Sequence, residues 1–352
     1  MTVTGPRVRD FTEPPASFTV DVAHGEALEA LLSLVVAGTG EAEDDYEIGD
    51  ALAERIRAGL PPEALAMVER FTGCGEVWLS LIGVAVDLPE PRTLEALIEA
   101  LRTSDPVGLR RDLLAMACYA EAAPGDVLDA AAAEPTAAAR LLEVAPGVDP
   151  GVIQMLEMTP EESIDELILV LESMGPTLDR QSITVIAAEA EHSRTLAATL
   201  PAGRFVESVT NGITFEDRSD VTGVVLVPSV IVRPWALIAA HGNKRIVCYS
   251  VPDERMEADP DAPPAWLVEF HKALGDERRL RVLGMLREGP ATFGEVTRRL
   301  GLAKSTVHHH LRVLRTAGLV KVVLGDEKVY ALREGVVPEA ARILDAFLAT
   351  RI

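Results

Sequence analysis

The sequence predicts an α+β fold, mainly α: a helical body with a small antiparallel sheet, followed by a C-terminal unit of helix, turn, helix and hairpin. Three observations predict it. From Gly25 to about Leu200 apolar residues recur at three- and four-residue intervals, the period of helices with one buried face. From Gly203 to Tyr249 Val and Ile take over in short runs separated by turn residues, as in strands. From residue 264 onward the charge changes sign. Residues 264–352 carry 15 Lys and Arg against 10 Asp and Glu, a net of +5, while the rest carries 18 against 45, a net of −27. The overall charge of −22 alone would argue against a polyanionic partner. Its asymmetry argues for one held by the basic end.

A length of 352 residues leaves room for two or three domains, and 48% hydrophobic with 25% charged residues is the balance of a folded soluble protein. The expected division is a helical effector or dimerisation region over 1–250, with strands at about 17–22 and 205–250, an acidic proline-rich linker over 251–264, and a basic domain over 265–352. In Ser17 to Val22, Phe18, Val20 and Val22 alternate with polar residues, which suits a half-buried strand. Helices are expected over Glu26–Val36, Ile48–Leu60, Pro62–Phe71, Thr93–Leu101, Val107–Tyr119, Pro160–Met174 and Ser182–Leu200. Thr159-Pro160-Glu161-Glu162 supplies a cap, a first-turn proline and two acids at the positive end of the helix dipole. Strands follow in Val221–Ser229, Val230–His241 and Arg245–Ser250, with a turn at Gly242-Asn243-Lys244.

The basic end carries the most specific pattern. Thr292-Phe293-Gly294-Glu295 is a capping box, opening a short helix that buries Phe293, Val296 and Leu300 and ends at Gly301. After the short connection Gly301-Leu302-Ala303, a second helix places Val307, Leu311 and Leu314 in one buried stripe. Lys304, Ser305, Thr306, His308, His309, Arg312 and Arg315 point away from that stripe, and Gly318 ends the helix with least strain. Hydrogen-bond donors for base edges and charges for phosphates, on a helix anchored in a core, are what a major groove requires. Leu319–Leu324 and Lys328–Leu332, around Gly325-Asp326-Glu327, form a hairpin, and Lys321 and Lys328 on it suit backbone contact. Helix, turn, helix and hairpin make a winged helix-turn-helix.

Ala273-Leu274-Gly275-Asp276-Glu277-Arg278-Arg279-Leu280-Arg281-Val282-Leu283, then Ser305 through Leu314, then Ala317-Gly318-Leu319-Val320, resemble the ArsR-type winged-helix regulators over about residues 264–352. The resemblance implies a homodimeric, cytoplasmic transcriptional regulator whose first and last helices build the dimer contact. Two positions depart from the pattern: Ala303 stands where a capping Ser is usual, and His308 replaces a common Ser on the DNA-facing side. Metal sensing, the best known property of that family, does not carry over. The helix before the recognition helix holds Thr292, Phe293, Gly294, Glu295 and Val296 in place of a Cys pair, no Cys follows Cys248, and Asp345 on the last helix is followed by no His.

Neither metal, cofactor nor catalytic site is expected. His308, His309 and His310 are consecutive, so on a helix their side chains diverge by about 100° each; His310 falls between Val307 and Leu314 and suits the core. Gly38-Thr39-Gly40 and Gly73-Cys74-Gly75 lack the further residues of a phosphate loop. His24, His192, His241 and His271 have no sequence-adjacent catalytic partner. Three scattered cysteines, Cys74, Cys118 and Cys248, suit a reducing compartment, and the absence of a signal-like start or a long apolar run suits the cytoplasm without membrane contact. The function expected is a dimeric, sequence-specific DNA-binding regulator, a repressor, reading a pseudo-palindromic operator in double-stranded DNA with helix 303–317. A small-molecule effector on the N-terminal region would control it. Two alternatives stay open: an N-terminal part that is only a dimer scaffold, and an enzyme whose winged helix serves protein contact.

Overall fold

The computed structural model describes residues 18–38, 46, 49–70, 75–118, 123–148, 150–215, 221–233, 235–252, 255–256, 263, 265–325, 327–333 and 335–349. The body runs β1 (Thr19–Val22), α1 (Glu26–Gly38), α2 (Gly49–Gly59), α3 (Pro62–Arg70), α4 (Gly75–Asp87), α5 (Leu94–Thr103), α6 (Pro106–Ala117), α7 (Gly125–Ala133), α8 (Ala138–Val144), α9 (Pro150–Leu156), α10 (Pro160–Met174), α11 (Arg180–Ala197) and α12 (Ala202–Val209). Strands β2 (Ile213–Phe215), β3 (Gly223–Ser229), β4 (Ala236–His241) and β5 (Lys244–Ser250) complete it.

The caps work as the residues require. Thr159 and Glu162 form a reciprocal capping box ahead of Pro160, and Asp179 accepts hydrogen bonds from the backbone N–H of Gln181 and Ser182 at the start of α11. Helix α4 falls outside the expected set. Its Val77, Trp78, Leu81, Ile82, Ala85 and Val86 are all buried, packed against α1 on one side and α6 and β4 on others. A helix enclosed this far round has no polar stripe to reveal its period.

The first sheet has the order β1-β3-β5-β4, and it is mixed, not antiparallel as expected: β1, β3 and β5 run parallel, and only β4 opposes its neighbour β5. Alternation along β3 and β5 explains the continuous apolar runs. Val225, Val227, Ile246 and Cys248 face the helical core, while Val224, Leu226, Val247 and Tyr249 face a second layer that includes Ala190 of α11 and Phe205 and Val206 of α12. A parallel strand covered on both faces has no polar alternation. The span 202–209, expected within the strand region, is helical. Its Phe205 and Val206 are buried, and Pro201 occupies the N-cap.

Most of the expected linker, 251–264, and Ser17 of the expected first strand lie outside the described residues. The C-terminal domain follows as α13 (Ala265–Leu274), α14 (Glu277–Leu286), β6 (Ala291–Thr292), α15 (Phe293–Leu300), α16 (Lys304–Thr316), β7 (Val320–Leu324), β8 (Val329–Leu332) and α17 (Val336–Ala349). Its separate core gathers Leu267, Phe270, Val282, Leu286, Val296 and Val307, with Leu311, Leu314, Val320, Val322 and Tyr330. Helices α13 and α17 pack on each other. No helix among the described residues is long and apolar enough to cross a membrane.

One strand of the body leaves its own sheet. β2 adds to the hairpin sheet in the order β2-β7-β8-β6, parallel to β7, with Ile213, Thr214 and Phe215 opposite Val322, Val323 and Leu324. The body and the C-terminal domain are therefore joined by a shared sheet.

Candidate nucleic-acid interface

Helix α16 is fixed at three points. Val307, Leu311 and Leu314 enter the core as the period requires. His310 is buried with them, neither ring nitrogen has a hydrogen-bond partner, and burial holds its pKa below the ordinary value, so the ring is neutral. At the amino end, the Thr292–Glu295 capping box positions α15, and Gly301 ends it in the left-handed region at φ 64°. That turn sets the angle between α15 and α16. Ala303 occupies the N-cap of α16 without a side-chain hydrogen bond. At the carboxyl end, Gly318 has φ 69°, and a Cβ there would meet the Asn211 side-chain oxygen at 2.4 Å. Gly318 thus ends the helix and leaves space for a residue of the body.

The side chains expected to face DNA divide into two groups. Lys304, Ser305, His308 and His309 are exposed and Thr306 is half-buried, giving an open first two turns. The ring of His308 also meets the edge of Phe293 at a centroid distance of 6.5 Å. Arg312 and Arg315, expected on the same outer face, are half-buried against the body. Both guanidinium carbons lie over the ring of Trp235, at 5.2 and 5.3 Å from its centroid. Desolvation holds the Arg315 pKa below its ordinary value, although a guanidinium stays charged.

The hairpin lysines also divide. Lys328 has its ammonium 5.8 Å from the ring centre of Tyr330, and desolvation, then repulsion from Arg315, lower its pKa. Lys321 lies on β7 beside the added strand, paired with Glu207 of α12 at 3.4 Å. Of the arginines on α14, Arg279 donates to the carbonyls of Ala273 and Lys272, and Arg281 pairs with Glu277 at 2.6 Å.

Between the two domains Trp235, Leu237 and Tyr46 of the body face Leu311, Arg312, Arg315, Lys328 and Tyr330 across a cavity of about 350 Å³. Sequence reasoning missed the body's side of it. Trp235 follows a proline in the connection from β3 to β4, and the one available signal was that aromatic residue between two Val- and Ile-rich runs. Among the described residues no group of three or more His, Cys, Asp or Glu is arranged to hold a metal ion.

Residues 276–322, from α14 into β7, match the family model for bacterial regulatory proteins of the arsR family. The transcriptional activator HlyU of Vibrio cholerae serotype O1 is 45% identical over 49 residues, which are 14% of this chain and 45% of that protein. The HTH-type transcriptional regulator NmtR of Mycobacterium tuberculosis is 38% identical over 78 residues, 21% of this chain and 60% of that protein. The chain spans about half the length of these curated relatives, and the matched stretch is a small part of its own length.

Proposed function

We propose that this protein is a DNA-binding transcriptional regulator, a homodimeric repressor of the cytoplasm that lays α16 in the major groove of a pseudo-palindromic operator. One observation carries the reading. Within the segment matched to the arsR family, Lys304, Ser305, His308 and His309 stand exposed on a helix whose opposite stripe is locked in a core. The first turn of such a helix also presents free backbone N–H groups and the positive end of its dipole to a phosphate. Exposed Val337 and Leu348 on α17, and Leu280 on α14, supply apolar surface for a second copy. Two α16 helices would then enter successive major grooves about one helical turn apart. HlyU is named an activator; repression here rests on the simplest action of such a dimer, which is to occupy a promoter.

The test is binding to duplex DNA across salt. Neutralising ~6 phosphates gives a slope near about −5 in log K against log salt. Ser305→Glu combined with Arg312→Glu should abolish duplex binding while size-exclusion chromatography reports an unchanged oligomer. Undiminished binding by that double variant would remove the assignment of α16. A footprint upstream of the protein's own gene identifies the operator.

A further inference from the structure

The cavity between the body and the winged helix combines features that neither a core void nor a DNA surface requires. Arg312, Arg315 and Lys328 bring three cations to it, the two arginines half-buried and Lys328 exposed at its edge. Trp235, Tyr46 and Tyr330 bring three aromatic rings, and Leu237 and Leu311 add aliphatic surface. Its volume, about 350 Å³, lies within the range of small-molecule sites. A duplex is far wider than this space and cannot enter it.

We infer that this cavity is an effector site for a small planar aromatic anion, such as an aromatic carboxylate, and that its occupant competes with DNA for Arg312 and Arg315. The chemistry selects both halves of the ligand. A carboxylate can engage the guanidinium fork of the half-buried Arg315 through two parallel hydrogen bonds, with the positive charges of Arg312 and Lys328 beside it. A flat ring packs among the indole and the two tyrosine rings and fills the apolar remainder. A bare phosphate answers only the charges, and a neutral aromatic answers only the rings. The lowered pKa of Arg315, caused first by desolvation, agrees with a half-buried guanidinium, while Lys328 stands exposed at the edge of the cavity.

The occupant also has a consequence for the helix. Arg312 and Arg315 already lie over Trp235, so a ligand bridging these groups ties the second half of α16 to the body. Phosphates and ligand then draw on the same guanidiniums, and each weakens the other by the same factor. The effector thereby releases DNA. This inference rests on the DNA-binding reading for its consequence, though not for the site itself.

The experiment uses the full chain, with 2-naphthoate as probe and 2-naphthamide and inorganic phosphate as controls. Calorimetry should record saturable binding of naphthoate at one per chain, with both controls at least tenfold weaker. Arg315→Ala and Trp235→Ala should each lower naphthoate affinity at least tenfold, while Trp235→Phe, which keeps a ring, retains most of it and vouches for a folded site. Fluorescence anisotropy with a labelled duplex should show saturating naphthoate weakening wild-type DNA binding about fivefold or more, without affecting Trp235→Ala. No saturable binding at millimolar naphthoate overturns the inference. So does naphthamide binding as tightly as naphthoate, or naphthoate affinity unmoved in both Arg315→Ala and Trp235→Ala. If wild type and Trp235→Ala both fail to bind duplex, the DNA-binding reading falls with the competition, and calorimetry alone decides the site.

Discussion

Glu29 lies on α1 in the interior of the body, where its Oε1 accepts hydrogen bonds from the backbone N–H groups of Val230 and Ile231, each at 3.1 Å. Oε2 is buried and has no partner, so it is the oxygen that takes a proton. Burial outweighs the hydrogen bonds from Ser229 and the two amides and pushes the carboxyl up to about 7 from an ordinary 4.5. The sign follows from which state holds more protons. Between pH 4.5 and 7 the folded chain keeps a proton that the unfolded chain has released, so stability falls as pH rises through this window. The fall reaches about 3 kcal/mol by neutral pH. Urea unfolding of the wild type should therefore give a lower midpoint at pH 8 than at pH 5, and Glu29→Gln should flatten that difference; equal slopes in the two proteins would show that Glu29 is ionised throughout. At this scale the site was only partly legible. The stripe Val307, Leu311 and Leu314 follows from spacing alone, and so does the packed His310. That Arg312 and Arg315 meet an indole does not, because spacing places residues on a face and is silent about what that face meets.

Among the elements, those with caps and a single buried face were readable from sequence: α10 behind Thr159-Pro160, α15 behind Thr292, α16 with its three-point stripe. Of the unreadable ones, α4, β3 and β5 fail for one reason, burial on more than one side. Helix α4 lost its polar stripe, and β3 and β5 lost their alternation, so strand direction had no local signal and the sheet's parallel pairings stayed hidden. Strand β2 is three residues long, and its partner β7 is more than a hundred residues away in sequence. α16 itself has one local defect, since Ala303 leaves its first N–H groups without a side-chain acceptor. Ala303→Ser introduces an oxygen that can accept from the N–H of Ser305 or Thr306, which should stabilise the C-terminal domain by about 1 kcal/mol. A higher urea midpoint, with unchanged dependence on denaturant, is the expected observation. An unchanged midpoint would mean that water already satisfies those groups at no loss.

The whole molecule couples an acidic body to a basic winged-helix domain, and the coupling runs through β2, through the ion pair of Lys321 with Glu207, and through Asn211. The Asn211 amide donates to the carbonyl of Thr316 at the end of α16 at 3.0 Å, and its oxygen accepts from Arg333 at 2.7 Å. The residue is held at φ 54°, a conformation that glycine adopts without strain. Asn211→Gly therefore removes both hydrogen bonds while keeping the backbone path. Each is worth about 1 kcal/mol, so separation of the winged-helix domain from the body should become easier by up to about 2 kcal/mol, roughly thirtyfold. Separation moves Trp235 off Arg312 and Arg315 and carries the body's negative charge further off; beyond a Debye length of ~8 Å that charge is largely screened. Duplex affinity should then rise several-fold in Asn211→Gly. The more specific expectation concerns salt. Two guanidiniums held partly over Trp235 in the wild type and freed to reach phosphates in the variant should steepen the slope of log K against log salt by up to about 2, since each neutralised phosphate contributes about 0.9. Stronger binding with an unchanged slope would mean that the docked domains hinder DNA by repulsion or shape alone. Unchanged affinity together with an unchanged slope would mean that the second half of α16 never reaches the backbone, and that its two arginines serve only the contact with Trp235.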